Sequence, residues 1–277
     1  MPSRSDPLIQ EGHLRLKHCR HGWVLYNARD TYVGRSFDRY GEYSEFECQT
    51  FARLIRPGQT VYDVGANIGG HTLAFARLVG PSGLVAAFEP QRIVFQMLCA
   101  NVALNGFSRV WTIWAACGRS LGQANVPSLD YQAVNNVGGL SLVGAPEGES
   151  VPTMPLDDVA APACHFIKID VEGMEGEVIA GAEKTIAKWR PILYVENDRA
   201  ERSAALIEQI MALGYRLYWH LPRLYNSRNF FGESENVFGD IVSVNMLCVP
   251  REVGIEVSGT EITSPADSWK SASPQFG

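Results

Sequence analysis

The 277-residue sequence predicts an α/β fold: a mostly parallel, seven-stranded sheet with helices on both faces, preceded by a small N-terminal β unit. Three observations carry this expectation. Short apolar runs alternate with amphipathic helical patterns, a glycine-rich turn follows the first run of that alternation, and acidic residues close several of the runs. Strands that are apolar on both sides need cover on both faces, which the crossover helices of a parallel sheet provide.

In chain order, residues 1–12 read as a loose tail, and residues 13–36 alternate apolar and polar positions as a small β unit does. Across 44–55, Phe46, Phe51, Leu54 and Ile55 fall at helical spacing behind Ser44, a candidate N-cap. The strand-like runs 60–65, 84–89, 110–116, 165–170 and 191–196 follow, and each except the third leads into a helical pattern. After 175, Val178, Ile179, Ala182, Ile186 and Trp189 share one face. After 200, Leu206, Ile207, Ile210 and Leu213 do the same, with Gly214 placed to end that helix. The Gly- and Pro-rich stretch 117–151 interrupts the rhythm and is expected to be an excursion containing a hairpin. Residues 215–220 and 240–249 supply the last two strands, separated by an aromatic, Asn-rich loop. The expected organisation is 1–36 as tail and β unit, 37–250 as the main domain, and 251–277 as a disordered tail rich in Ser, Pro and Gly.

Composition narrows the function. Hydrophobic residues make up 46% and charged residues 19%, which is ordinary for a globular chain long enough to bury a large core. A net charge of −6 argues against nucleic acid as a partner. None of the six cysteines forms a C-x-x-C pair, so they read as small buried hydrophobes rather than zinc ligands or disulfides. No apolar stretch approaches the roughly 20 residues of a membrane span. The polar opening, residues 1–11, does not resemble a signal peptide, and the expected location is cytoplasmic.

The strongest local signal is Asp63-Val64-Gly65-Ala66-Asn67-Ile68-Gly69-Gly70, at the end of one strand and the start of a helix. In open α/β sheets ligands bind beyond the carboxyl ends of the strands, where this turn lies. A dinucleotide turn needs G-x-G-x-x-G so that the pyrophosphate touches the backbone. Asn67 occupies the second glycine position and obstructs that approach. S-adenosylmethionine has no phosphate; its ammonium, carboxylate and nucleoside suit a strand-end acid, Asp63, and a tight glycine turn. Glu89 ends the next strand, where its two oxygens can accept both ribose hydroxyls. Helix capping is the competing role for both acids.

Together, YGEYSEFE (40–47), DVGANIGGHT (63–72), FEP (88–90), IKIDVEGMEGEVIAGA (167–182) and YVEN (194–197) resemble the FkbM-type methyltransferases, over most of residues 35–249. The resemblance implies a Rossmann-like class I methyltransferase fold and an S-adenosylmethionine-dependent O-methyltransferase. Its acceptor would be a hydroxyl of a sugar, glycolipid or natural product, that is, a small molecule or glycan. It also implies that Tyr40, Gly41, Glu42, Gly65, Ala66, Asn67, Gly69, Glu89 and Pro90 surround the methyl donor.

On the acceptor side, Asp170 and Glu172 end the fourth strand two residues apart, so on an extended segment they point the same way. Such a pair needs a proton or a cation between them, which the donor sulfonium, a metal or Lys168 can supply. Capping the next helix is the alternative for Glu172. Asp170, Glu196 and Asn197 form an oxygen set of the kind magnesium prefers; plain hydrogen bonding is their alternative role. His220 is the better-placed general base among the histidines, His71 is close to the turn, and His165 reads as structural. Tyr218, Trp219, Tyr225, Phe230 and Phe231 form either a sugar platform or core packing. Asn135 and Asn136 either reach the site or make a turn. Arg15, Lys17, His18, Arg20 and His21 either meet a phosphorylated acceptor or form a solvated face. The rival functions are an N-methyltransferase, disfavoured by Asp170-Val171-Glu172-Gly173 in place of an Asn/Asp-Pro-Pro-Tyr loop, a nicotinamide oxidoreductase, and a non-catalytic cofactor-binding protein.

Overall fold

The computed structural model describes residues 6–272. The N-terminal unit is a three-stranded antiparallel sheet of β1 (Ile9–Glu11), β2 (Leu14–Cys19) and β3 (Gly22–Asn27). Helices α1 (Val33–Tyr40) and α2 (Glu45–Leu54) lead into the main domain. There, β4 (Thr60–Val64), α3 (Gly70–Val79), β5 (Leu84–Phe88), α4 (Arg92–Leu104) and β6 (Val110–Ile113) alternate as expected. The excursion begins with β7 (Ala116–Cys117), and β8 (Gly122–Val126) and β9 (Glu149–Met154) form its hairpin. The main alternation resumes with β10 (Phe166–Ile169), α5 (Glu175–Ala180), α6 (Glu183–Trp189), β11 (Ile192–Glu196) and α7 (Ala200–Ala212). The last strands are β12 (Tyr215–His220), β13 (Asn245–Pro250) and β14 (Glu261–Ile262).

The main sheet runs β14-β12-β13-β11-β10-β4-β5-β6. Strands β6, β5, β4, β10 and β11 pair in parallel, whereas β13 pairs antiparallel with β11 and β12, and β14 pairs antiparallel with β12. Strand β4 pairs with β5 on one side and β10 on the other, so the winding reverses there and opens a crevice at the strand ends. Alternation sorts the side chains. Val61 and Phe166 face Phe51 of α2 and Phe75 of α3, whereas Tyr62, Val64, Ile167 and Ile169 face Val178, Ile186, Leu206 and Ile210. No helix among the described residues is long and apolar enough to cross a membrane.

Several expectations need correction. Residues 9–11 of the expected N-terminal tail form β1, paired with β2. The main sheet has eight strands rather than seven, because residues 251–272 are not a loose tail: β14 pairs with β12 and buries Ile262. Residues 273–277 of that expected tail lie outside the described residues. The single helix expected after 175 is two, α5 and α6. It breaks at Gly181, where a Cβ would lie 2.0 Å from the Gly118 carbonyl oxygen. That break turns Trp189 outward, leaving it 38% exposed under the Lys188 ammonium instead of on the apolar face.

Phe51 is the aromatic hub of one layer, fully buried with Phe75, Phe166 and Tyr194 at ring distances of 4.9, 5.5 and 4.9 Å. Phe51→Ala is expected to cost about 3–5 kcal/mol, read from denaturant unfolding. A loss below about 1 kcal/mol would show that this layer does not pack as described.

Candidate active site

A cavity of about 320 Å³ opens beyond the carboxyl ends of β4, β5, β10 and β11. The turn after β4 is its floor. Gly65 has φ +78° and its Cα approaches β10 so closely that a Cβ would lie 1.8 Å from the Asp170 carbonyl oxygen. Asn67 has φ +51° and lines the cavity, and its backbone N–H donates to Glu89 Oε2 at 2.9 Å. Glu89 Oε1 accepts from the Gln91 N–H at 2.8 Å. Both oxygens are thus oriented by backbone donors, with lone pairs left for a ligand. Burial pushes the Glu89 carboxyl up to about 7. Ala66 and Pro90 also line the cavity, whereas Gly69 sits in left-handed conformation at the N-terminus of α3.

Beneath the turn lies a buried ion network. Register places Lys168 of β10 beside Asp63 of β4, on the same face of the sheet. Lys168 Nζ is 3.1 Å from Asp170 Oδ2 and 3.7 Å from Asp63 Oδ1, and donates to the Gly65 carbonyl at 3.3 Å. Burial opposes this charge, but Asp170 and Asp63 outweigh it and the lysine pKa rises. Asp63 is fully buried, accepts from Thr72 Oγ1 at 2.6 Å and does not line the cavity. It therefore holds Lys168 and α3 in place rather than facing a ligand. On the same side, Glu47 of α2 is 3.2 Å from His71 Nε2 and accepts from Asn245 Nδ2 at 3.1 Å. Burial raises Glu47 to about 7 and drives His71 well below its usual value, leaving a neutral ring in the cavity wall.

Across the cavity from Glu89 stand Asp170, Glu172 and Glu196, with carboxylate oxygens within 4.8 Å of one another. Asp170 and Glu172 do converge, but not on an extended segment: β10 ends at Ile169 and Glu172 has φ +55°. Glu172 pairs with Arg199, while Glu175 takes the local role of accepting the Val171 and Gly173 N–H groups. Burial and then Asp170 push Glu172 up to about 7. Burial, Asp170 and Glu172 raise Glu196 well above the usual carboxylate range, and its Oε2 is buried with no hydrogen-bond partner. Asn197 leaves the expected oxygen set: it is buried and its amide donates to Met246 Sδ at 3.2 Å.

Other expected residues lie elsewhere. Tyr40 bonds the Glu235 carbonyl, Glu42 holds Arg20, Asn226 and the Phe230 N–H, and the Phe231 ring covers Gly41. This trio braces loop 221–244 and does not line the cavity. His220 lines a separate cleft. Its Nδ1 is 2.7 Å from the Tyr194 hydroxyl, its Nε2 3.3 Å from Thr50 Oγ1, and burial lowers its pKa to about 4. His165 accepts the Thr60 N–H. The aromatic residues of the loop pack on α1 and β2, and Lys17, Arg20 and His21 pair with Asp38, Glu42 and Glu45.

Residues that the sequence reading passed over are Tyr43, Gln91 and Glu47. Tyr43 and Gln91 line the cavity, and Glu47 stands behind His71. Tyr43 and Glu47 belong to the same segment as Tyr40, Gly41 and Glu42. The excursion covers the cavity with Asn136, Gly138, Gly139, Leu140 and Leu142. It is held by Gln91 Nε2 on the Val137 carbonyl, by Asp30 on the Val137 N–H and by Ser141 on the Glu172 carbonyl.

Residues 63–217 match the family model described as methyltransferase FkbM domain. The chain is 28% identical over 227 residues to the 31-O-demethyl-FK506 methyltransferase FkbM of Streptomyces tacrolimicus, covering 71% of this chain and 82% of that protein. It is 22% identical over 203 residues to the ribosomal RNA large subunit methyltransferase E of Pseudomonas fluorescens, covering 71% and 95%. Among solved structures, a methyltransferase FkbM from Methylobacillus flagellatus aligns with a TM-score of 0.47 at 17% identity, over 73% of this chain and 50% of that one.

The raised carboxyls set a pH dependence. Glu47, Glu89 and Glu172 hold their protons more tightly folded than unfolded, so their contribution is complete below about 4.5 and is lost as pH rises through about 7. The ligand-free protein is expected to melt at progressively lower temperature between pH 5 and about 8 in calorimetry. Glu47→Gln should flatten that slope, and an unchanged slope would mean that Glu47 is ionised throughout.

Proposed function

The chain belongs to the methyltransferase FkbM family and is an S-adenosylmethionine-dependent methyltransferase, and on that premise we propose that it methylates a hydroxyl oxygen of a small-molecule or glycan acceptor. The arrangement that carries this reading is the opposition of Glu89 to Asp170, Glu172 and Glu196 across one cavity. Glu89 accepts the ribose hydroxyls of the donor, and the turn from Gly65 to Asn67 runs beneath it. The three carboxylates orient the acceptor so that its oxygen lies in line with the methyl–sulfur bond. The sulfonium is already a good leaving group, so alignment provides much of the acceleration. Glu172, held near 7, takes the hydroxyl proton, since a base matched to the working pH is the most effective.

His220 has no part in this reading, because both its ring nitrogens are engaged in a different cleft. Several carboxylates and few cations line the cavity, which favours a small acceptor over a nucleic-acid backbone. Six free cysteines suit the reducing cytoplasm. Magnesium has weaker support. Asp170 and Glu196 stay together but Asn197 is committed to Met246, and Lys168 and Arg199 already offset two of the carboxylates.

Calorimetry is expected to give S-adenosylhomocysteine binding and none of NAD; tight NAD binding alone would sink the assignment. Glu89→Ala should weaken donor binding by about 1–3 kcal/mol. Glu172→Gln should lower kcat with donor affinity nearly unchanged, since it keeps shape and removes charge. Loss of donor binding in that variant would move Glu172 to the donor's amino-acid end. Turnover should persist in excess chelator, and its abolition with rescue by magnesium would restore the metal.

A further inference from the structure

Resting on that reading of the cavity, we propose that the acceptor carries a protonated amine near the hydroxyl it presents, and that Glu196 binds this ammonium. Charge in the cavity is unevenly matched. Glu89, Asp170, Glu172, Glu196 and Asp198 line the cavity, and Lys168 is the cation among its lining residues. Lys168 is matched to Asp170 and Asp63, and Arg199 to Glu172 and Asp198. Glu89 and Glu196 have no cation partner; Glu89 is met by two backbone N–H groups, and Glu196 is left over.

Its surroundings do not satisfy it. Glu196 Oε2 is buried and has no hydrogen-bond partner. The two neighbouring amides that could have served it are turned away: Asn197 donates to Met246, and Asn245, opposite Glu196 in the sheet, donates to Glu47. A buried carboxylate oxygen without a donor is costly, and a cavity is where a ligand can supply one. An ammonium offers three N–H donors, and its positive charge favours the ionised form of Glu196 that burial and the neighbouring acids oppose. Its N–H bonds diverge tetrahedrally, so two acceptors at about 2.8 Å lie roughly 4.6 Å apart, which suits oxygens that lie within 4.8 Å of one another. The rest of the cavity fits such a molecule. Leu140, Leu142, Leu224, Ile241, Val242 and Val244 line the part contributed by loops and offer apolar cover for its body.

The ion pair also selects the atom that is methylated. A protonated amine has no lone pair and cannot attack the donor. The hydroxyl oxygen forms the new carbon–oxygen bond, the methyl–sulfur bond breaks with its electron pair going to sulfur, and the hydroxyl proton passes to Glu172. The ammonium is unchanged. This favours oxygen over nitrogen in a molecule that carries both.

The test uses the full chain loaded with S-adenosylhomocysteine, in chelator, and compares methyl α-D-glucosaminide with methyl α-D-glucoside and methyl N-acetyl-α-D-glucosaminide by calorimetry. The free amine should bind at least about tenfold more tightly than either neutral sugar, and the preference should fade as pH rises through the amine's own pKa. Glu196→Gln should abolish the preference while S-adenosylhomocysteine affinity, which reports the fold, is retained. Equal binding of the three sugars, binding of none, or a preference that survives Glu196→Gln overturns the proposal. So does magnesium titration, without chelator, that reveals a site lost in Glu196→Gln and no amine preference. Failure of S-adenosylhomocysteine to bind the unaltered chain would instead overturn the proposed function itself.

Discussion

The site is organised around one buried ammonium. Lys168 reaches from β10 to Asp63 on β4, to Asp170 at its own strand end and to the Gly65 carbonyl in the turn. It thus ties together the two strands between which the sheet reverses its winding. A lysine buried this deeply would lose its charge without carboxylates around it, and the fully buried Asp63 carboxylate would be strongly disfavoured without it. Removing one member of such a set leaves an uncompensated buried charge, at about 3–5 kcal/mol. The close approach of Gly65 to the Asp170 carbonyl is the steric counterpart of the same constraint.

From that centre the cavity divides by charge and contact. On the β5 side, backbone N–H groups of Asn67 and Gln91 aim the Glu89 carboxylate. On the β11 side, three carboxylates converge with fewer donors to satisfy them. The excursion between β8 and β9 spans both halves. It touches Gln91 at one end and the Glu172 carbonyl at the other, so both halves of the cavity are covered by one segment. Asp30 ties the same segment to the N-terminal unit.

Much of this was legible in local pattern. The β/α alternation, the hairpin in the excursion and the turn at Gly65 all depend on spacing within a few residues, where periodicity and glycine placement speak directly. The positions of Glu89 and Asp170 at the cavity were legible too, because strand ends are predictable and crevices in such sheets open there. The structure departed from the reading where partners are distant in sequence. Glu42 was read as donor-facing, yet its oxygens are taken by Arg20, Asn226 and the Phe230 N–H. Residues 251–272 looked like a tail because edge strand β14 is only two residues long, too short for any periodic signal.

By itself the sequence determined the family, the fold class and the acids at the strand ends, because each is written in contiguous motifs or in short-range periodicity. Tertiary structure alone decided which acids are matched and which are not. Asp63 and Glu89 share one face of neighbouring strands, but Asp63 lies inside β4, buried against Lys168 and Thr72, whereas Glu89 lies just past the end of β5 and reaches the cavity. Asn197 and Glu196 are adjacent, yet one faces Met246 and the other faces the cavity. Burial and partner geometry are properties of surfaces brought together by the fold, and neighbouring positions in the chain take opposite sides of them.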